Sequence, residues 1–187
     1  MKIEEIEKEA YNAIDRKDFE RAYEILNSIA DERSPYALLT LGWMHDNAFA
    51  VVENKEVAQS YYIRAVDAGS LVAYHRLGSL FLEKGDDHSA RAIFHTGAEQ
   101  GCLPCMYEVG VMLLDGKGGK VDEKSGKDWL IYAADRDHIW SKRKLLGIEK
   151  KKTKSFVRRL LVNMQICVLG IKGGLAHFSD PNSERHQ

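Results

Sequence analysis

The sequence predicts an all-α fold, an array of αα-hairpin repeats with about nine to ten helices and no sheet. Three observations predict it. The segment ALLTLG (residues 37–42) returns as AYHRLG (73–78) and CMYEVG (105–110), with a worn fourth copy, KRKLLG, at 142–147. A second motif follows the first three: AQSYYIRAVDAG (58–69), ARAIFHTGAEQG (90–101) and GKDWLIYAADRD (126–137), with an earlier version, AYEILNSIADER, at 22–33. The distance from the small residue of the first helix to that of the second alternates 12, 16, 12, 16 (Ala10 to Ala22, Gly42 to Ala58, Gly78 to Ala90, Gly110 to Gly126). Self-similarity at a fixed period is the signature of stacked supersecondary units that cannot bury their apolar face alone.

Each element has its own signals. Small residues at i, large apolar pairs at i+3/i+4 and further small or apolar residues at i+7/i+8 make one helix face. The small residues admit a neighbouring helix closely. Ser34-Pro35 supplies a helix N-cap and a proline at the first helical position. Gly69 and Gly101 stand where a left-handed residue ends the second helix. Hairpins with long and short loops alternate, which is the 12/16 rhythm. The array is expected over residues 1–149, a basic amphipathic helix over 150–172 and a flexible tail over 173–187.

Composition excludes several function classes. The 187 residues are 44% hydrophobic with three prolines, ordinary for a folded chain. The net charge of −1 gives no global nucleic-acid signature. Charge is uneven, however: residues 1–33 carry ten acids against six bases, and residues 142–159 carry nine Lys/Arg against one acid, Glu149. Such asymmetry points to an acidic or membranous partner at one end. The acidic N-terminus lacks the charged and apolar regions of a secretory signal, and no window reaches the roughly 18 apolar residues of a spanning helix. Three cysteines do not suggest a disulfide framework, and a cytoplasmic setting is expected.

No motif for chemistry survives its spacing. DGKGGK (115–120) lacks the phosphate-loop pattern and a preceding strand, so it reads as a repeat loop. CLPC (102–105) has redox spacing, but Cys105 takes the place of Ala37 and Ala73, where a small buried residue is wanted. A thiol or metal sensor using Cys102 and Cys105, with His95 as the nearest further ligand, is the alternative reading; a tetrahedral site would need two more ligands. His95 and Glu99 share a helix face as a surface contact. The histidines are scattered and no nucleophile–base–acid set is present, so no enzyme and no cofactor are expected.

These residues resemble the Sel-one-like repeat family, a branch of the tetratricopeptide-type helical arrays. The nearest copy is CMYEVGVMLLDGKGGKVDEKSGKDWLIYAAD, with Gly116, Gly118 and Asp122 in place; the first long hairpin departs in its loop, where NAFAVVEN replaces the glycines. The resemblance covers about residues 4–148. It implies a right-handed superhelix whose first helices line a concave face, and protein binding rather than catalysis. Projecting the related arrays' inner-surface positions selects Tyr36, Leu39, Trp43 and Asp46, then His75, Ser79 and Leu82, then Tyr107, Val111 and Leu114, with Tyr11 extending the row. Aromatics rimmed by Asp46, Glu83 and Asp115 would anchor a peptide or helix. Trp43 is expected to be a partner anchor outside the core. The resemblance also associates such chains with bacterial signalling and with assembly of envelope or surface polysaccharide.

The C-terminal segment is the other departure. Phe156, Val157, Leu160, Leu161, Met164, Cys167, Val168 and Ile171 form one helical stripe, and Val162, Ile166 and Leu169 a second. Gly173-Gly174 is expected to end the helix. Lys150, Lys151, Lys152, Lys154, Arg158 and Arg159 precede or open it, and with Leu160, Leu161, Met164 and Val168 they make an attachment segment for the inner surface of an anionic membrane or for an acidic, apolar partner. The competing reading is a cap on the last repeat. Nucleic acid is a poor partner, because only Trp140 and Phe156 lie near the basic run for stacking.

Overall fold

The computed structural model describes residues 2–153 and 155–179. Among them are ten α-helices, one turn of 3-10 helix (Ala30–Glu32) and no strand. The helices are α1 (Ile3–Asp15), α2 (Phe19–Ser28), α3 (Pro35–Asp46), α4 (Lys55–Asp67), α5 (Leu71–Glu83), α6 (Asp87–Glu99), α7 (Leu103–Asp115), α8 (Glu123–Ala134), α9 (Ile139–Lys152) and α10 (Phe156–Ser179). The chain divides into two compact units, Met1–Gly85 and Asp86–Gln187.

In the first unit α1 packs on α2, α2 on α3, α3 on α4, and α4 on α5. Small residues lie at the crossings: Ala10, Ala22, Ala37, Ala58, Ala65 and Ala73 are all fully buried. The closest approach is at Gly42, where an added Cβ would stand 2.7 Å from Cδ1 of Tyr62. That tyrosine is itself fully buried, and its hydroxyl donates to Oδ2 of Asp46 at 3.2 Å.

In the second unit α6 packs on α7, α7 on α8, α8 on α9, and α9 on α10. The α7/α8 crossing repeats the α3/α4 one with glycine on both sides. A Cβ on Gly110 would lie 3.0 Å from the Gly126 carbonyl oxygen, and one on Gly126 would lie 2.8 Å from that of Gly110. Backbones this close leave no room for any side chain.

Helix starts follow the polar residues of the sequence. Ser34 Oγ accepts from Ala37 N, Asn54 from Glu56 N and Val57 N, Ser70 from Ala73 N, and Asp122 from Ser125 N. The junctions between hairpins share one closure. At Gly69 (φ +92°) and Gly101 (φ +99°) the left-handed residue and its successor donate back to the last turn. Arg33 (φ 59°) and Asp137 (φ 65°) hold the same position without glycine.

The long loops coincide in backbone conformation although the first departs from the glycine pattern in sequence. Ala48 (φ 57°) and Ala50 (φ 61°) take the left-handed positions that Gly116 (φ 70°) and Gly118 (φ 71°) take in the second unit. Both loops close the same way: Asn54 N donates to His45 O, and Asp122 N to Leu113 O, each at 2.9 Å.

Two boundaries differ from those expected. The limit at 149/150 falls inside α9, which runs to Lys152. The helix that Gly173-Gly174 was to end continues to Ser179. Glycine retains its N–H and costs only about 1 kcal/mol in a helix interior, so a pair of them weakens a helix without stopping it as proline would. Of the anticipated tail, residues 180–187 lie outside those described.

Glycines of opposite consequence follow. A Cβ on Gly118 would lie 2.2 Å from the Asp87 carbonyl oxygen, whereas one on Gly147, in the worn fourth copy within α9, would meet nothing within 4 Å. Gly118→Ala should therefore destabilise by about 3 kcal/mol through overpacking. Gly147→Ala should stabilise by roughly 0.5–1 kcal/mol through helix propensity. Urea unfolding of the two variants checks both signs.

Candidate partner-binding surfaces

The residues projected onto the inner face all lie at half-buried positions: Tyr36, Leu39, Trp43 and Asp46 on α3, His75, Ser79 and Leu82 on α5, and Tyr107, Val111 and Leu114 on α7. Their helices turn Ala37, Leu38, Leu41 and Met44, or Cys105, Met106, Val109 and Met112, fully inward. The ten are therefore boundary residues, and several are already engaged.

Asp46 is the clearest case, and corrects its reading as a rim acid. Its Oδ1 accepts from Lys55 Nζ at 2.6 Å and its Oδ2 from the Tyr62 hydroxyl. The same ammonium reaches Oε2 of Glu83 at 2.9 Å, so that acid too is engaged, though it stays exposed. The hydrogen bonds from Asp46 and then Glu83 hold Lys55 above its usual range, and burial, then Asp46, raises Tyr62. This network ties α3, α4, the loop between them and α5 into one piece.

Trp43 also differs from its reading. Its ring stacks on Phe49 at 4.6 Å between centroids and meets Phe19 edge-on at 6.3 Å, while Phe19 and Phe49 lie 4.5 Å apart. Trp43, Tyr36 and Leu39 pack against the buried cluster of the first unit. Phe49 comes from the loop whose length was legible but whose inward turn was not. A second aromatic group sits beside it, with His45 stacked on Tyr61 at 5.6 Å and edge-on to Tyr23 at 5.9 Å; burial lowers the His45 pKa and favours its neutral form. On α5 the Ser79 hydroxyl donates to the His75 carbonyl. On α7 Tyr107 faces His138 at 5.7 Å, and Leu114 Cγ lines the Gly126 crossing.

The cysteine pair does not form a reactive site. Cys105 is fully buried, as are its counterparts Ala37 and Ala73, and Cys102 occupies an N-cap position. Ser141, also fully buried at the same distance from its N-cap His138, corrects the register of the fourth copy by one residue. A hydrogen bond with Cys102, and then burial, push the Cys105 thiol well above its ordinary range, the opposite of what a nucleophilic or sensing thiol requires. No group of three or more His, Cys, Asp or Glu able to hold a metal occurs among the described residues.

The second helical stripe of α10, not the first, is turned inward. Val162 is buried, and Ile166 and Leu169 are half-buried. Leu160, Leu161, Met164, Val168 and Ile171 stand exposed, between 51% and 64%. Lys151 and Arg158 are exposed beside them and Lys150 is half-exposed; Arg158 pairs with Glu149 at 2.6 Å. Lys152 and Arg159 lie in helices, their side chains outside the description, and Lys154 lies outside the described residues.

A further surface escaped sequence reasoning, which considered only first helices. The second helix α8 turns Gly126, Leu130 and Ala133 inward and presents Trp129 and Tyr132, one turn apart, to a cleft of about 490 Å³ shared with α6 and α7. The signal was in WLIY (129–132): of its four large residues only Leu130 lies on the inward stripe.

The comparisons with known proteins agree with this architecture. The Sel1 repeat family model matches residues 35–70, 71–102 and 103–138, more than half of the chain. Among solved structures, a Sel1 repeat protein from Oxalobacter formigenes is 23% identical at a TM-score of 0.66, over 73% of this chain and 58% of its own. A protective antigen present in uropathogenic Escherichia coli strains, displaying an SLR fold, is 22% identical at a TM-score of 0.66, over 81% of this chain and 37% of its own. The chain thus spans less than two thirds of either neighbour's length. No curated protein matches it.

Two outcomes follow from the buried geometry. Trp43→Ala should cost about 2–3 kcal/mol of unfolding free energy, somewhat less than a fully buried aromatic, as read by urea denaturation. In native protein one thiol, the exposed Cys167, should react with an aromatic disulfide reagent at pH 8, with Cys102 and Cys105 following only on unfolding.

Proposed function

The chain belongs to the Sel1 repeat family, and from that premise we propose that it is a non-catalytic scaffold for protein partners, held at an anionic membrane interface by α10. Sel1 repeat proteins generally mediate protein–protein interaction, and their scaffold is generally non-catalytic. The half-buried positions of α3, α5 and α7 that keep open surface are where each unit would meet a partner. The family resemblance supports a setting on the cytoplasmic face of a bacterial membrane, in envelope or surface-polysaccharide assembly or in signalling.

One observation carries the attachment: α10 turns its smaller apolar stripe inward and leaves Leu160, Leu161, Met164, Val168 and Ile171 of the larger one exposed, beside basic residues. A terminal helix that only capped a repeat array would present a polar outer face. Five exposed aliphatic side chains would each gain burial free energy on entering the interface, at about 25 cal/mol per Å². Each nearby Lys or Arg adds about 1 kcal/mol toward an anionic surface. None of the described helices is long and apolar enough to cross a membrane, so α10 would lie in the interface plane. The basic flank favours anionic lipid over a second copy, whose own flank carries the same sign.

Co-sedimentation of the full chain with vesicles tests this. Binding is expected to phosphatidylglycerol-containing vesicles and not to phosphatidylcholine alone, to weaken in 0.5 M salt, and to be lost in Leu161→Ser/Met164→Ser with unchanged circular dichroism. Indifference to both vesicle types, or a dimer that the same double variant dissociates, would overturn the attachment.

A further inference from the structure

The cleft of the second unit has a composition that the scaffold reading does not use. Ala98 and Met106, both about 1% exposed, form its floor. Trp129 and Tyr132 supply its aromatic wall, and Glu99 and Asp128 stand at it from α6 and α8. Volumes of this order hold a side chain together with the backbone that carries it.

Its electrostatics favour a cation. The Asp128 carboxylate makes no ion pair or hydrogen bond with any described residue, and the adjacent Lys127 is drawn to Glu123 at 2.6 Å. Glu99 meets only the imidazole Nδ1 of His95, at 3.6 Å, a charge pair only when that ring is protonated. The aromatic wall adds attraction of the same sign, because a π face is electron-rich. One face of Tyr132 is already taken, with the guanidinium carbon of Arg136 3.4 Å from its ring centroid, so Trp129 is the ring offered to an incoming cation. Two carboxylates beside two aromatic rings repel phosphate and carboxylate ligands and suit a flat or compact cation.

We infer that this cleft receives an Arg or Lys side chain presented by an extended segment of a protein partner. The cation would sit against Trp129 and complete the charge of Asp128 and Glu99, with Met106 and Ala98 taking its aliphatic stem. The inference names the chemistry of one partner contact and rests on the scaffold reading. It is independent of α10, so peptide binding and vesicle binding can fail separately.

The test follows the indole N–H of Trp129, assigned with Trp129→Phe, in nitrogen-15 spectra of the full chain. It is titrated with acetyl-Gly-Ala-Arg-Ala-Gly-amide and with the same peptide carrying Lys, citrulline or Glu at the centre. Saturable shifts are expected with Arg and Lys only, with affinity reduced at least about fivefold in Asp128→Asn, an exposed position where folding should be unaffected. Equal shifts with citrulline, no shift with any peptide, or no loss in Asp128→Asn would overturn the inference. So would an indole that moves with protein concentration alone, which would assign the cleft to a second copy.

Discussion

The long hairpins depend on a helix crossing that leaves no space for a side chain. At Gly42 the ring of Tyr62 occupies the place of a Cβ, and at Gly110 the carbonyl of Gly126 does. Such proximity brings the end of the first helix within reach of the residue that starts the second. Asn54 can then close onto His45, and Asp122 onto Leu113. A helix pair held apart by one methyl group at this point would lose dispersion contact along its seam, and its loop bond would stretch.

Around that shared crossing the two units solve the same loop by different chemistry. The second uses glycine at both left-handed positions and secures the loop from α6: Arg91 Nη1 donates to Lys120 O at 3.1 Å, and Gly118 packs on Asp87. The first uses alanine at both, at a strain of roughly 1–2 kcal/mol each. Compensation comes from Phe49, seated between Phe19 and Trp43, and from Lys55, which joins Asp46 to Glu83. Trp43 and Asp46 are thus held by the requirements of a loop, which removes them from the residues freely available to a partner.

What is left for binding is what the packing did not consume. The first helices offer half-buried positions, α8 offers two aromatics beside carboxylates, and α10 offers the exposed Leu160, Leu161, Met164, Val168 and Ile171. The cysteine pair is committed to packing. Cys105 fills a slot otherwise held by alanine or serine, and burial there favours the thiol over the thiolate. Surfaces of this kind act by geometry and charge, as expected of a scaffold.

The sequence by itself determined the all-α repeat fold, because small-residue spacing and cap residues act locally and recur at 12 and 16 residues. It determined that Cys105 and Gly110 are packing residues, since each stands in a repeated small-residue slot. Helical periodicity, a local property, also accounts for the half-buried state of the projected positions within each first helix. Only the tertiary structure decided which were already engaged: the partners of Trp43 and Asp46 come from Phe19, Phe49, Lys55 and Tyr62, on other elements. It likewise decided which stripe of α10 turned inward. Both stripes are apolar at helical spacing, and the choice between them rests on the fit against α9, which no local pattern encodes.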